Sequence, residues 1–307
     1  TENTATHAIK LGDLNLDGWL DIVIGNAVAR GQNNQNLMNG KNGTFLDAVH
    51  LSGESLTTYS IALADVNGDG FIDIIEGNDV DQKNRVLINN RANSGTEFSN
   101  DKNSLIDLEG NARDIAAADI NGDGSVDIIL GNNGQYNHLL INNGDGNFTK
   151  ALRLPGRASF SRSIAVTDLD NDGDADIILG FIVNEQNLIF MNNEQNWAYE
   201  QNAVFLRDSA GATMDLVFSD FTGDGWVDIV TGKTTRSNLV ALNKGDGTHD
   251  YPAKITERDK FVTLAIESAD LNGDGYVDLI IGNKNESNQV FWNTGDGDGK
   301  FHYEPLS

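Results

Sequence analysis

The sequence predicts an all-β fold, a β-propeller of six four-stranded antiparallel blades, with a seven-bladed parent lacking one blade as the runner-up. Three observations carry this. A DxNxDGxxD pattern recurs six times, starting at Asp13, Asp65, Asp119, Asp168, Asp220 and Asp270, at intervals of 52, 54, 49, 52 and 50 residues. Strand-like apolar segments flank each copy. Two Asn residues five apart then bracket a third apolar segment. A period near fifty marks one supersecondary unit repeated. The even spacing favours one domain over 1–307, with repeats at approximately 1–52, 53–106, 107–156, 157–208, 209–258 and 259–307, over the two domains that length alone suggests.

Each repeat shows the same elements in order. The first strand precedes the pattern, as in Ile61-Ala62-Leu63-Ala64; a large apolar residue stands four before the first Asp (Ile9, Ile61, Ile115, Ile164, Leu216, Ile266). A small residue stands just before that Asp (Gly12, Ala64, Ala118, Thr167, Ser219, Ala269), which suits a crowded strand near an axis. The second strand is the aliphatic run after the loop, such as Asp127-Ile128-Ile129-Leu130-Gly131. The third lies between the Asn pairs 34/39, 84/89, 137/142, 187/192, 238/243 and 288/293. A Gly-rich turn such as Asn143-Gly144-Asp145-Gly146 leads to a fourth strand that opens at Phe148, and at Phe45, Phe98 and Phe301 in other repeats. An EF-hand would need an acid at loop position 12, where only Glu76 qualifies; a calcium β-helix would need nonapeptide repeats, which are absent.

With these repeats in phase, the chain resembles the FG-GAP/VCBS repeat family of calcium-binding propellers, which includes the integrin α-subunit propeller, some fungal lectins and many bacterial surface proteins. The resemblance spans essentially the whole chain. It departs from the integrin pattern in lacking the Phe-Gly and Gly-Ala-Pro signatures, with Gly-Asn replacing the latter in four repeats.

The loop chemistry points to a hard cation. Oxygen ligands at positions 1, 3, 5 and 9 and a carbonyl at 7 suit calcium, and Gly at 6 permits the turn. Repeat one offers Asp13, Asn15, Asp17 and Asp21 with the Trp19 carbonyl, and repeat two Asp65, Asn67, Asp69 and Asp73 with Phe71. Repeat three offers Asp119, Asn121, Asp123 and Asp127 with Ser125, and repeat four Asp168, Asp170, Asp172 and Asp176 with Asp174. Repeat five offers Asp220, Thr222, Asp224 and Asp228 with Trp226, and repeat six Asp270, Asn272, Asp274 and Asp278 with Tyr276. About six structural Ca2+ ions are expected, one per repeat, tightest in repeat four and weakest in repeat five, where a hydroxyl replaces the better ligand. The aromatic residues at position 7 are expected to pack between adjacent blades, and the Asn pairs to hydrogen-bond backbone at strand ends.

The net charge of −25 has the same origin. The six loops hold 20 Asp and no Lys or Arg, which leaves 26 acids against 21 bases elsewhere; six divalent ions would bring the total to about −13. Nucleic acid is not an expected partner, because that needs clustered Lys/Arg. No apolar run is long enough to insert in a membrane. Without an EF-hand's bidentate Glu the loops suit the calcium-rich medium outside cells, so a secreted or cell-surface protein is expected, with any signal segment already removed. The absence of Cys excludes disulfides and thiolate metal sites.

A partner, protein or glycan, is expected on the face opposite the acidic loops, where the connections differ between repeats. The candidates there are Arg30, Tyr59, Asp81, Lys83, Tyr136, Arg162, Glu185, Arg236, Lys284 and Glu286. The expected function is therefore an extracellular calcium-stabilised recognition or adhesion module. A calcium-dependent lectin with sugar sites between blades is the alternative, and a polysaccharide lyase a more distant one. No catalytic residues are assigned, since the five His neither recur in phase nor pair with an acid in a recognisable motif.

Overall fold

The computed structural model describes residues 5–27, 33–51, 56–79, 82–90, 97–100, 111–156, 158–182, 185–192, 203–207, 211–234, 236–255 and 262–305. They fall into two compact units, 1–158 and 159–307, which separate where the third repeat gives way to the fourth. Among the described residues no helix is long and apolar enough to cross a membrane.

In the first unit each repeat contributes four antiparallel strands, paired in chain order. They are β1 (Thr6–Gly12), β2 (Asp21–Asn26), β3 (Gln35–Leu37) and β4 (Val49–His50); β5 (Thr58–Ala64), β6 (Asp73–Asn78), β7 (Arg85–Asn89) and β8 (Phe98–Asn100); and β9 (Ala112–Ala118), β10 (Asp127–Gln135), β11 (His138–Asn142) and β12 (Phe148–Arg153). The second unit repeats the plan with β13 (Ser159–Thr167), β14 (Asp176–Phe181), β15 (Leu188–Phe190) and β16 (Ala203–Phe205); β17 (Thr213–Ser219), β18 (Asp228–Lys233), β19 (Leu239–Ala241) and β20 (Ala253–Lys254); and β21 (Thr263–Ala269), β22 (Asp278–Asn283), β23 (Gln289–Asn293) and β24 (Phe301–Pro305). The strands begin where the alternating patterns predict, with one correction. Phe45 makes only an isolated bridge to Asn39, and the fourth strand of repeat one lies later, at β4.

The core lies between the sheets. Val23 and Leu14 of the first blade meet Ile61, Ile74 and Leu87 of the second, and Val66, Ile75 and Val86 of the second meet Ile115, Ile128 and Leu140 of the third. Ile178 and Ile189 meet Leu216, Ile229 and Ala241 in the same way, as Val230 and Val240 meet Ile266, Leu279 and Phe291. The second strands β6, β14 and β18 are buried along their whole length, so their aliphatic runs are nearly continuous. Burying one such side chain stabilises by about 1.5–3 kcal/mol. Before the first loop the small residue has a steric reason: a Cβ on Gly12 would stand 2.9 Å from Leu63 Cδ1 of the next blade.

Candidate metal loops and the opposite face

The six acidic loops join the first and second strands, and their backbone folds alike. Position 6 is Gly with φ between 86° and 94° in every copy: Gly18, Gly70, Gly124, Gly173, Gly225 and Gly275. A side chain there would meet the left-handed penalty of about 1–2 kcal/mol. Position 4 is also left-handed, at Leu16 and Asn171 as well as at four glycines.

Repeat two shows the common hydrogen bonding. Asp65 accepts from the backbone N–H of Asp69 at 3.0 Å and of Gly70 at 2.6 Å. Asn67 Oδ1 accepts from Asp69 N–H, and Asp69 Oδ1 from Phe71 N–H. Asp73, fully buried, accepts from Val66 N–H at 3.0 Å and from Asn89 N–H at 2.8 Å. These bonds hold the side-chain oxygens on the inner side of one turn.

The position-9 carboxylates carry the strain of this arrangement. Burial pushes Asp73, Asp127 and Asp228 up to about 6 and Asp176 up to about 7. The other Asp residues of each loop raise them further, against two backbone N–H bonds that lower them. Asp21 is also raised, by burial first. In repeat four one oxygen each from Asp168, Asp170 and Asp176 lie within 4.8 Å of one another. Three carboxylates converging at that distance, one of them buried, fit a divalent cation with oxygen ligands. The substitution in repeat five has a visible consequence: Thr222 Oγ1 donates to Asp220 at 3.2 Å, whereas the Asn it replaces accepts from the position-5 N–H.

Two features of this face were missed in the sequence. Lys41, from the turn between β3 and β4, sets its Nζ 3.1 Å from Asp17 Oδ2, so repeat one does have a base at its loop. The position-7 side chains do not all pack between blades. Trp226 and Tyr276 lie over Gly245 and Gly295 of their own blades' Gly-rich turns, where a Cβ would come within 2.5 and 2.8 Å of the rings, while Trp19 is exposed. Phe71 is half-buried.

The Asn pairs do more than cap strands. The first Asn of each pair accepts from a backbone N–H at the end of the second strand: Asn34 from Asn26, Asn84 from Asn78, Asn137 from Asn132, Asn187 from Phe181, Asn238 from Lys233 and Asn288 from Asn283. The second Asn reaches across to the preceding blade. Asn89 Nδ2 donates to the Leu14 carbonyl, Asn142 to Val66, Asn243 to Leu169 and Asn293 to Phe221, at 2.6–2.9 Å. Each acceptor is position 2 of an acidic loop, so loop and neighbouring blade are clipped together. Glu76, the one acid at an EF-hand-like position, is buried in β6 and paired with Arg85 and Asn34.

The opposite ends of the inner strands differ from blade to blade. Six residues before the first Asp, the first unit presents His7, Tyr59 and Arg113 on successive inner strands β1, β5 and β9. The Arg113 guanidinium lies 3.5 Å over the Tyr59 ring, and His7 meets that ring edge-on at 5.1 Å. Asp79 accepts from the Tyr59 hydroxyl at 3.4 Å and pairs with Arg113 at 4.0 Å. Tyr59 was singled out in the sequence; His7 and Arg113 were not, although they share its register. Arg162 holds the same position in the second unit and is half-buried. Tyr136 lies beneath Arg153, which stands 3.0 Å over its ring. Lys83, Arg236, Lys284 and Glu286 are exposed and Glu185 is half-buried. Arg30 and Asp81 lie outside the described residues.

Comparison with known proteins identifies the repeat. The model of the FG-GAP-like repeat matches residues 13–76, 65–130, 119–179, 220–281 and 270–305. No curated protein sequence matches the chain. Among solved structures, BBS1N in complex with ARL6DN, soaked with lead, is similar with a TM-score of 0.59 at 12% identity, over 94% of this chain and 78% of that one. The mercury-soaked form of the same complex gives 0.60 at 12% identity, over 94% and 80%. The Vibrio cholerae (V. cholerae) biofilm matrix protein Bap1 gives 0.50 at 20% identity, over 78% of this chain and 38% of its own. These likenesses show a propeller-like all-β fold, and the matched repeats show that the chain belongs to the FG-GAP-like repeat family.

Proposed function

We propose that the chain is an extracellular, calcium-stabilised recognition module that engages a protein or glycan through the face opposite its acidic loops. The observation that carries this reading is the His7–Tyr59–Arg113 row. Its three side chains occupy one register position on three successive inner strands, yet differ in chemistry; Asp79 ties Tyr59 to Arg113, and His7 meets the Tyr59 ring edge-on. Features common to all blades build the fold; a cluster peculiar to three of them is free to serve a partner. An aromatic ring beneath a guanidinium, flanked by an imidazole, suits a sugar or an acidic group.

Calcium in this reading is structural. Bound at the loops it would supply the positive charge that keeps buried carboxylates such as Asp73 and Asp176 ionised. Without an EF-hand's bidentate Glu, affinity would be modest and suited to the millimolar calcium outside cells. BBS1N is recorded bound to another protein, and Bap1 belongs to a biofilm matrix; both are consistent with recognition on this fold. Catalysis is not part of the proposal.

The test is binding to arrayed glycans and to surface-protein extracts in about 1 mM calcium, comparing wild type with Arg113→Ala and Tyr59→Ala. Binding that both variants weaken at least tenfold supports the reading. Binding that neither variant changes rejects this face.

A further inference from the structure

Buried hydrogen bonds join the position-9 carboxylates of successive loops, passing at each step through one apolar residue and one asparagine. In the first unit Asp21 accepts from Leu14 N–H at 3.0 Å, and the Leu14 carbonyl accepts from Asn89 Nδ2 at 2.9 Å. The backbone N–H of the same Asn89 donates to Asp73 at 2.8 Å. The other oxygen of Asp73 accepts from Val66 N–H, and the Val66 carbonyl accepts from Asn142 Nδ2. Asn142 N–H then donates to Asp127, so the relay runs from loop one to loop three. The second unit has its own relay. It passes from Asp176 through Leu169 and Asn243 to Asp228, then through Phe221 and Asn293 to Asp278.

The members of the first relay are shut off from water: Leu14, Val66, Asp73, Asn89, Asp127 and Asn142 are each 0–1% exposed. A bond broken among them is not made good by solvent, so a shift at one loop is felt at the next. Each link also touches ligands directly. Leu14 stands between Asp13 and Asn15, two of the loop-one ligands. The Asn89 amide spans both loops, because it donates to the Ile72 carbonyl beside Asp73 as well as to Leu14. Bonds confined to one loop, such as those Asp65 accepts from Asp69 and Gly70 N–H, fold the turn and pass nothing on.

Resting on the structural role given to calcium above, we infer that cation binding at neighbouring loops of a unit is positively cooperative. Asn89, Asn142, Asn243 and Asn293 are the positioning residues that transmit it. In an empty loop the carboxylates repel one another and loosen the turn. With loop two filled, Asp73 is fixed and its bond fixes the Asn89 backbone. The Asn89 amide then holds Leu14 where the ligands of loop one are needed. Loop one therefore gives up less conformational freedom when its own ion arrives. By linkage, a filled loop one favours loop two by the same factor.

Terbium luminescence excited through tryptophan reads loop one in the full chain. Trp19 lies within that loop and is the single tryptophan of residues 1–158, and the saturable signal lost in Asp17→Ala is the loop's share. Asp69→Ala removes a loop-two ligand that lies outside the relay. It is expected to raise the terbium concentration that half-saturates loop one at least about fivefold, the low end for coupled sites. In an Asn89→Ala background the same substitution is expected to shift that midpoint by less than about twofold, the limit for independent sites. A purely structural Asn89 would weaken loop one and leave the Asp69→Ala effect in place, which overturns the relay. A midpoint that Asp69→Ala leaves unmoved overturns the cooperativity while the metal reading stands. If no Asp17-dependent signal appears, the metal reading fails and the inference fails with it. Should circular dichroism show a first-unit variant unfolded, the same cycle in the second unit decides by the same outcomes. There Trp226 reads loop five, Asp274→Ala disables loop six and Asn293→Ala breaks the relay.

Discussion

At the loop end of the blades the same side chains make the same bonds in repeat after repeat, while at the other end one register position holds His7, Tyr59 and Arg113 in turn. The loop end is constrained twice over. Its Asp and Asn residues fold the turn, and its position-2 carbonyl receives the next blade's Asn. A change there is felt in two blades. The other end has a clip of its own, between Thr58, Thr213 and Thr263 and the preceding blade's Asn34, Asn187 and Asn238. The position beside that Thr, held by Tyr59 in the second repeat, takes no part in it and is available for individual use.

Chelation gives the largest separation between the two ends. A ligand present at 100 times its Kd stabilises by about 2.7 kcal/mol per site. With several sites in each unit and roughly 2–4 °C per kcal/mol for a unit of this size, EDTA is expected to lower Tm by well over about 10 °C, and calcium readdition to restore it. Unchanged melting in EDTA would remove the metal from the account and leave the loops as Asx turns alone. Isothermal titration would refine the same comparison among loops. Repeat four should bind first, with repeat five and the Lys41-paired loop of repeat one last.

Asn142→Ala comes next. Its amide donates to the Val66 and Val126 carbonyls, and its oxygen accepts from Gly144 and Gly146 N–H. Removing it strands buried backbone groups, each costing about 1–3 kcal/mol, so urea unfolding should show a loss of roughly 2–4 kcal/mol in total. Asn39→Ala, at an exposed flank, should cost under about 1 kcal/mol by the same measure. Equal losses would mean that the clip between blades contributes nothing.

The pH dependence should reverse sign with metal. In EDTA the folded carboxyls of Asp73, Asp127 and Asp228 titrate near 6 and that of Asp176 near 7, above the unfolded value of 3.8. Folding therefore takes up protons, and the associated stability is full below about pH 4 and lost as pH rises through 6 to 7. Tm in EDTA should rise on acidification from pH 8 to 5. In calcium, where protons compete with the ion for the same oxygens, it should fall. A Tm that falls on acidification in both media would show that the position-9 carboxyls are not raised in the metal-free fold.

How much of this was legible in the sequence follows from distance along the chain. The loop ligands and Asn pairs sit at fixed short spacings, so their roles could be read locally. The Asn amide's bond to the preceding blade spans more than seventy residues, and no spacing within one repeat encodes it. Lys41 reaches Asp17 only because two connections of one blade meet at the same end. Trp226 and Tyr276 suggested an interface because aromatics usually fill one, yet two glycines of their own blades make the nearer groove. Arg113 was within reach of register alone, since Tyr59 and Arg162 share its position.

Arg113→Ala should have the smallest effect on stability and the most informative contrast. The guanidinium is partly exposed, and its stacking on Tyr59 with an ion pair at 4.0 Å contributes about 0.5–1 kcal/mol from the ring and 0–1 from the pair. A Tm shift of a few degrees at most is expected, against the larger loss from Asn142→Ala. If instead the two substitutions destabilise alike, the row at the open end is a structural clip like the one at the loop end. The division of labour between the two ends would then fail, and the search for a partner would move to the connections around Lys83, Arg236 and Lys284. If stability is spared while ligand binding falls, the residues that distinguish the blades are the ones that a partner reads.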